Sequence, residues 1–189
     1  MNIKSFIIEE YSSLFEAVDV FHGTDQKFDS FNLNKIGSGD GRSLGGWGIY
    51  FSDDASVSSQ YKTDKGVIKK YRLLSSDFFN LNDGLNNGYA QTILRGLRNI
   101  GVDEAEINEF ISDYIDYDET TNYQAYEWLS HVLGGEKQAS LFLRNLGCVG
   151  NMINDRTNPN ATNYIVYDTD IIKYIGSVDN EENYEDDEY

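Results

Sequence analysis

One cysteine, one proline, two histidines and a shortage of positive charge bound what this sequence can be. A lone thiol, Cys148, cannot form an internal disulfide framework, so the fold has to be held by its core. One Cys and two His are also too few for a zinc site built from the usual ligands, and no metal is expected. Lys and Arg number 15 against 32 Asp and Glu, a formal net charge of −17. So acidic a chain repels phosphate backbones, which disfavours a nucleic-acid target. No apolar run approaches the ~20 residues of a membrane span, so no membrane partner is expected. The opening Met1–Phe6 lacks the apolar stretch of a secretory leader. The expected location is therefore cytoplasmic, and the sequon at Asn160-Ala161-Thr162 carries no glycosylation meaning.

Aromatic side chains, by contrast, are plentiful: 14 Tyr and 10 Phe, within a hydrophobic fraction of 40%. That composition is globular. The 189 residues suggest one domain, large enough to hide about 70% of its unfolded surface. Residues 1–17 place Ile3, Phe6, Ile7, Tyr11, Leu14 and Phe15 at helical spacing, an N-terminal helix packed on the domain. The domain proper is expected over 18–176. Residues 177–189 form an acidic tail rich in Asp and Glu without Lys or Arg, the composition of a solvated, disordered end.

Strand-like segments lie on both flanks: Val18–His22, Gly66–Leu74, Phe78–Asp83, Cys148–Ile153, Tyr164–Tyr167 and Ile171–Ile175. Phe28 and Phe31, in the loop after the first, are expected to plug the core. Between the flanks, residues of about 88–146 change to a helical period. Ile93, Leu94, Leu97 and Ile100 mark one helix, and Ile107, Phe110, Ile111 and Tyr114 a second. Tyr123, Tyr126, Trp128, Leu129, Val132 and Leu133 mark a third, and Ala139, Leu141, Phe142 and Leu146 a fourth closed by Gly147. Gly101 and Gly134-Gly135 punctuate them. The block reads as a helical insertion in an α+β fold.

The chain is organised around Gly45-Gly46-Trp47-Gly48-Ile49-Tyr50-Phe51-Ser52 and its continuation to Tyr61. Glycines admit close backbone approach. Ile49, Tyr50 and Phe51 favour a strand. Asp53 or Asp54 suits the cap of a helix starting near Ala55 and carrying Tyr61 about two turns in. Two aromatics so placed, Tyr50 and Tyr61, can face each other across a flat ligand. Upstream, Gly37-Ser38-Gly39-Asp40-Gly41 has neither the strand nor the helix that a phosphate-cradling loop needs. Gly41-Arg42-Ser43-Leu44-Gly45 likewise lacks the strand and helix of a hydrolase nucleophile elbow.

Gly46, Gly48, Ile49, Tyr50, Phe51, Ser58 and Tyr61 resemble the Gly-x-Gly-Ile-Tyr-Phe pattern of the diphtheria-toxin-like, or poly(ADP-ribose) polymerase-like, superfamily of ADP-ribosyltransferases. Val20-Phe21-His22-Gly23-Thr24 resembles its first strand and Asn163-Tyr164-Ile165-Val166-Tyr167-Asp168 its last catalytic strand. The likeness spans Val18 to Ile175 and looks nearest to small transferases of phages and mobile elements. It implies a split antiparallel β-sandwich around a cleft for NAD, used as co-substrate, and transfer of ADP-ribose to a protein partner. His22 would meet a ribose hydroxyl, and Gly23, with Thr24 beside it, the nicotinamide amide. Tyr50 and Tyr61 would sandwich the ring next to Gly48 and Phe51, with Ser58 on the carboxamide. Arg42 and Lys35 are candidates for the pyrophosphate, and Arg156 lies where family members choose their target.

The departure is Asn163, where polymerase-type members carry a catalytic Glu. An amide can hydrogen-bond a ribose hydroxyl but supplies no charge and takes no proton. The implication is mono- rather than poly-ADP-ribosylation, with His22, Tyr50 and Asn163 as the catalytic set. Asp155 or Asp168, or Asp113, Asp116, Asp118 and Glu119 in the insertion, are candidates for a substitute acid. Two rivals stand beside this reading: an NAD-binding protein of the same fold that no longer transfers, and an acidic interaction module imitating the charge of DNA.

Overall fold

The computed structural model describes residues 17–28, 30–36, 45–115 and 120–178. The expected N-terminal helix (but for Ala17), Arg42, the acids at 116, 118 and 119, and the acidic tail from 179 onward lie outside the described residues. The strands are β1 (Val18–Thr24), β2 (Ile49–Ser52), β3 (Val67–Leu73), β4 (Phe78–Asn80), β5 (Gly150–Asn154), β6 (Thr162–Val166) and β7 (Ile172–Val178). The helices are α1 (Ala55–Ser59), α2 (Asn87–Asn99), α3 (Glu104–Phe110), α4 (Asn122–Val132) and α5 (Glu136–Asn145). A π-helical turn, Ile111–Ile115, prolongs α3.

The strands run in the order β4-β5-β6-β2-β1-β3-β7, antiparallel throughout except for β4 beside β5. This is an α+β fold, and the sheet is split into two wings. In one wing β1 ladders with β3 from Val18↔Leu73 to Thr24↔Val67, and β3 with β7. In the other, β2 ladders with β6 from Ile49↔Val166 to Ser52↔Asn163. A single register pair, Phe21↔Ser52, joins the wings. Everything distinctive about the site follows from that seam.

Alternation of side chains across the pleat gives the sheet two apolar faces. Phe78 and Phe79 show it, neighbours that enter different cores. On one face Phe79, Leu81 and Tyr167 meet the helices through Leu97, Phe110, Trp128, Leu129 and Leu143. On the other, Val20, Ile49, Phe51, Tyr71, Leu73 and Val166 are covered by Phe31, Leu33 and Ile36. Each such side chain fully buried contributes about 1.5–3 kcal/mol before entropy is counted. Phe31 thus plugs the core as expected. Phe28 sits at its edge, under the Lys69 ammonium at 4.2 Å.

Side chains cap the starts of α2 and α4, and the expected glycine at Gly147 closes the last helix. Asn86 caps α2 through the Tyr89 N–H, and Thr121 and Gln124 form a capping box at α4. Gly147, at φ 104°, lets Cys148 N–H reach the Leu143 carbonyl and its own N–H reach that of Arg144, the double bond of a Schellman end. One helix differs from expectation. Asp54 caps α1 as anticipated, but α1 holds only five residues and Gln60 closes it. Tyr61 therefore lies just past the helix, in a turn whose N–H bonds the Ser58 carbonyl at 3.2 Å. The serine-rich Ser56-Val57-Ser58-Ser59 is a poor helix run, and Ser56 and Ser59 hydroxyls bond locally to Asp54 and to the Ser56 carbonyl.

Candidate active site

Past Phe21↔Ser52, β1 and β2 no longer ladder, and the His22 side chain occupies the gap: its Nδ1 lies 2.8 Å from the Tyr50 carbonyl oxygen. A carbonyl can only accept, so Nδ1 carries the proton. Burial lowers the imidazole below its ordinary 6.5; the carbonyl pulls the other way and Lys69 adds to the lowering. The ring is therefore neutral at physiological pH, with Nε2 left as an acceptor. It packs edge-on against Phe31 at 5.1 Å and tilted on Phe51 at 5.6 Å.

Tyr50 and Asn163 share the opposite face. Strand alternation sets Tyr50 and Ser52 away from Phe51, and the register Ser52↔Asn163, Tyr50↔Ile165 puts Asn163 one diagonal step from Tyr50. His22 meets Tyr50 through the main chain, across the seam. The His22 ring packs on the Phe51 face of the sheet, away from the Tyr50 and Asn163 side chains, and Phe51 is a buried core ring between Phe31 and Tyr71. Thr24 is buried as well, its hydroxyl accepting from the Gln26 N–H.

The Tyr50 ring is folded back on the glycine loop. Its hydroxyl donates to the Gly46 carbonyl at 2.7 Å and accepts from the Gly45 N–H at 3.1 Å. Burial pushes this phenol well above its usual value, against the Gly45 N–H, with smaller additions from Glu136, Tyr126 and Tyr61. It stays neutral at any physiological pH. The loop is held in turn from the helical block. The Tyr126 hydroxyl contacts the Trp47 N–H at 3.4 Å, the Glu136 carbonyl at 3.1 Å and the Ser140 hydroxyl at 2.9 Å. Asn151 donates to the Gly45 carbonyl at 2.7 Å and accepts from the Tyr167 hydroxyl. Gly46 has φ 101°, and a Cβ there would lie 2.1 Å from the Tyr126 oxygen.

Close approach at Gly23 is used by the protein itself. A Cβ there would fall 1.9 Å from the Ser58 carbonyl oxygen, so α1 rests directly on β1. The Ser58 hydroxyl completes the contact by donating to the Phe21 carbonyl at 2.9 Å. At Gly48 the missing Cβ makes room for Ile165 of β6. Tyr61 is 57% exposed, at the open side of this corner. Lys35 ends the short 3-10 turn Leu33–Lys35, and Arg156 is exposed in the loop between β5 and β6.

Among the described candidate acids, Asp155 is the one hydrogen-bonded to Asn163. Its Oδ2 accepts from the Asn163 amide nitrogen at 2.9 Å. Its Oδ1 accepts from the Thr157 N–H and hydroxyl and from the Asn158 N–H at 2.6–2.9 Å. Burial pushes this carboxyl up, but the donors from Thr157, Asn163 and Asn158 outweigh it and hold it at about 2. Asp168 is instead paired with Arg144 at 3.0 Å, and Asp113 is bonded to the Ser112 hydroxyl. The loop carrying Asp155 is tied to α1: Asn158 donates to Asp54 at 2.8 Å, and Thr162 N–H to Asp53 at 2.8 Å. Sequence reasoning missed Tyr126, Ser140 and Asn151. They lie 79 to 106 residues from the loop they hold, with no local pattern to mark them.

Comparison with protein-family models gives one finding: a model described as ADP-Ribosyltransferase in polyvalent proteins matches residues 16–183. No curated protein and no solved structure matches the chain.

Proposed function

The chain belongs to the family of ADP-ribosyltransferases in polyvalent proteins, and on that premise we propose that it cleaves the nicotinamide–ribose bond of NAD and transfers single ADP-ribose units to a protein. The observation that carries the proposal is the seam, where a neutral His22 bonded to the Tyr50 carbonyl stands next to Gly23, on which Ser58 rests. The main chain of His22–Thr24, paired to β3 on one edge and freed from β2 on the other, receives the carboxamide. Tyr50, with Tyr61 at the open side, flanks the ring. His22 Nε2 accepts from a ribose hydroxyl, and Asn163 meets the ribose next to the breaking bond.

In the reaction the bond from C1′ to the pyridinium nitrogen breaks, its electron pair leaving with neutral nicotinamide. A nucleophile of the target forms the new bond to C1′ and gives up its proton to solvent or to a base on the target. The leaving group is already cationic, so positioning and electrostatics supply most of the acceleration. With an amide at Asn163, no carboxylate is there to activate a ribose hydroxyl for chain extension, hence single transfer. An effector carried by a phage and acting on proteins of the host cytoplasm accords with this reading.

The lack of a charge at Asn163 also favours a second reading, a protein that binds NAD without turning it over. Incubating the purified protein with labelled NAD and cell lysate separates the two. Transfer gives nicotinamide release above background and labelled proteins, whose modified residues mass spectrometry identifies. Tyr50→Ala should then weaken NAD binding by about 1–3 kcal/mol, as for loss of a buried aromatic contact. NAD binding without release in the wild type would leave the second reading in place.

A further inference from the structure

We propose that Asp155 is a positioning residue that fixes which end of the Asn163 amide faces the reacting ribose, so that the amide turns its oxygen and not its NH2 to it. The proposal rests on the transferase reading for its catalytic consequence, but the geometry stands independently. Asn163 and Asp155 meet at 2.9 Å, eight residues apart, across the end of the β5–β6 hairpin. Asp155 is 9% exposed and ionised, and an ionised carboxylate can only accept. The amide must therefore turn its NH2 to Asp155. Its oxygen then points the other way; among the described residues it has no hydrogen-bond partner, and it is not among the buried unpaired atoms. Free to accept, it is oriented for a ribose hydroxyl. Without Asp155 an amide is ambiguous, since either end can be turned to the ligand.

The remaining bonds of Asp155 supply the means of testing this. Its Oδ1 is fixed by three donors from Thr157 and Asn158, so the turn requires an oxygen at that position. In Asp155→Asn the oxygen stays with those donors, and the new NH2 occupies the place of Oδ2. Asn163 then has to present its oxygen to residue 155 and its NH2 to the cleft. The turn survives while the polarity of the site inverts. Asp155→Asn combined with Asn163→Asp restores an acceptor on the cleft side, because the new carboxylate accepts from residue 155 with one oxygen and offers the other.

The direct readout is the Asn163 side-chain amide by 15N-labelled NMR, which needs no activity. In the wild type its protons should be shifted downfield and slow to exchange, and in Asp155→Asn both features should be lost. The catalytic readout is nicotinamide release. Asp155→Asn should lower kcat at least tenfold while KM for NAD changes less than threefold, and the double variant should recover most of that loss. A merely structural Asp155 would show a lowered melting temperature and no rescue. Unchanged amide signals in Asp155→Asn, or a folded double variant no better than the single one, would overturn the proposal. A wild type without any nicotinamide release defeats the transferase reading alone, and the amide signals still decide the pair.

Discussion

At the scale of single residues, the chemistry depends on protonation states that burial and hydrogen bonding dictate. His22 is the clearest case. Its Nδ1 is committed to the Tyr50 carbonyl and its pKa is lowered, so Nε2 accepts a hydrogen bond only while the ring is neutral. NAD affinity should be constant above pH 6.5 and fall only as the pH drops through the native pKa of His22, which lies below that value. The stability linkage has the same direction. The unfolded chain takes up this proton near 6.5 and the folded one later. The contribution of His22 is thus complete above pH 6.5 and is lost as pH falls from there through the folded value. NMR titration of the imidazole checks the pKa, and calorimetric NAD binding at several pH values checks its consequence. A His22 pKa at or above 6.5 would contradict both. Asp155 behaves as an ordinary depressed carboxylate, its contribution present above 3.8 and lost as pH falls through about 2.

At the scale of elements, the helical block acts as a support for the glycine loop as well as a cover for the sheet. Tyr126 on α4 and Ser140 on α5 hold the backbone at Trp47, and Tyr50 in turn is hydrogen-bonded to Gly45 and Gly46. Removing the hydroxyl alone, in Tyr126→Phe, takes a partner from the buried Ser140 hydroxyl and the half-buried Trp47 N–H and should cost about 1–3 kcal/mol, measurable as a shift in denaturant midpoint. The same variant should raise the dissociation constant for NAD, since Tyr50 loses the loop against which its ring is set. A variant with full stability and unchanged NAD binding would show that the block covers the sheet without supporting the site.

At the scale of the whole molecule, the two cores meet through one sheet. The helices between β4 and β5 do not form a separate unit, because Phe79, Leu81 and Tyr167 from the sheet side complete their core. Replacing 87–145 by a short flexible linker should therefore abolish cooperative thermal unfolding, exposing one apolar face of the sheet. A sharp transition in that shortened chain, followed by circular dichroism, would show instead that the sheet is stable with one core.

Much of this molecule was legible in its sequence because the signals are local. The 3.6-residue period of Ile93–Ile100 and Tyr123–Leu133, the cap at Asp54 and the glycine end at Gly147 are set by neighbouring atoms, and the helices stand where these put them. The Gly46–Phe51 and His22–Gly23 segments were recognisable for the same reason. Local rules did not find the short α1, where serine hydroxyls compete with the helix and leave Tyr61 in a turn. They also left the candidate acids unranked. Only the tertiary structure brings Asp155 to Asn163 and Asp168 to Arg144, because register across the β5–β6 hairpin and packing of α5 decide those distances. The seam between β1 and β2 belongs to the same class. Both strands are plain in the sequence, and that they part after a single pair, with His22 between them, depends on how the two wings pack.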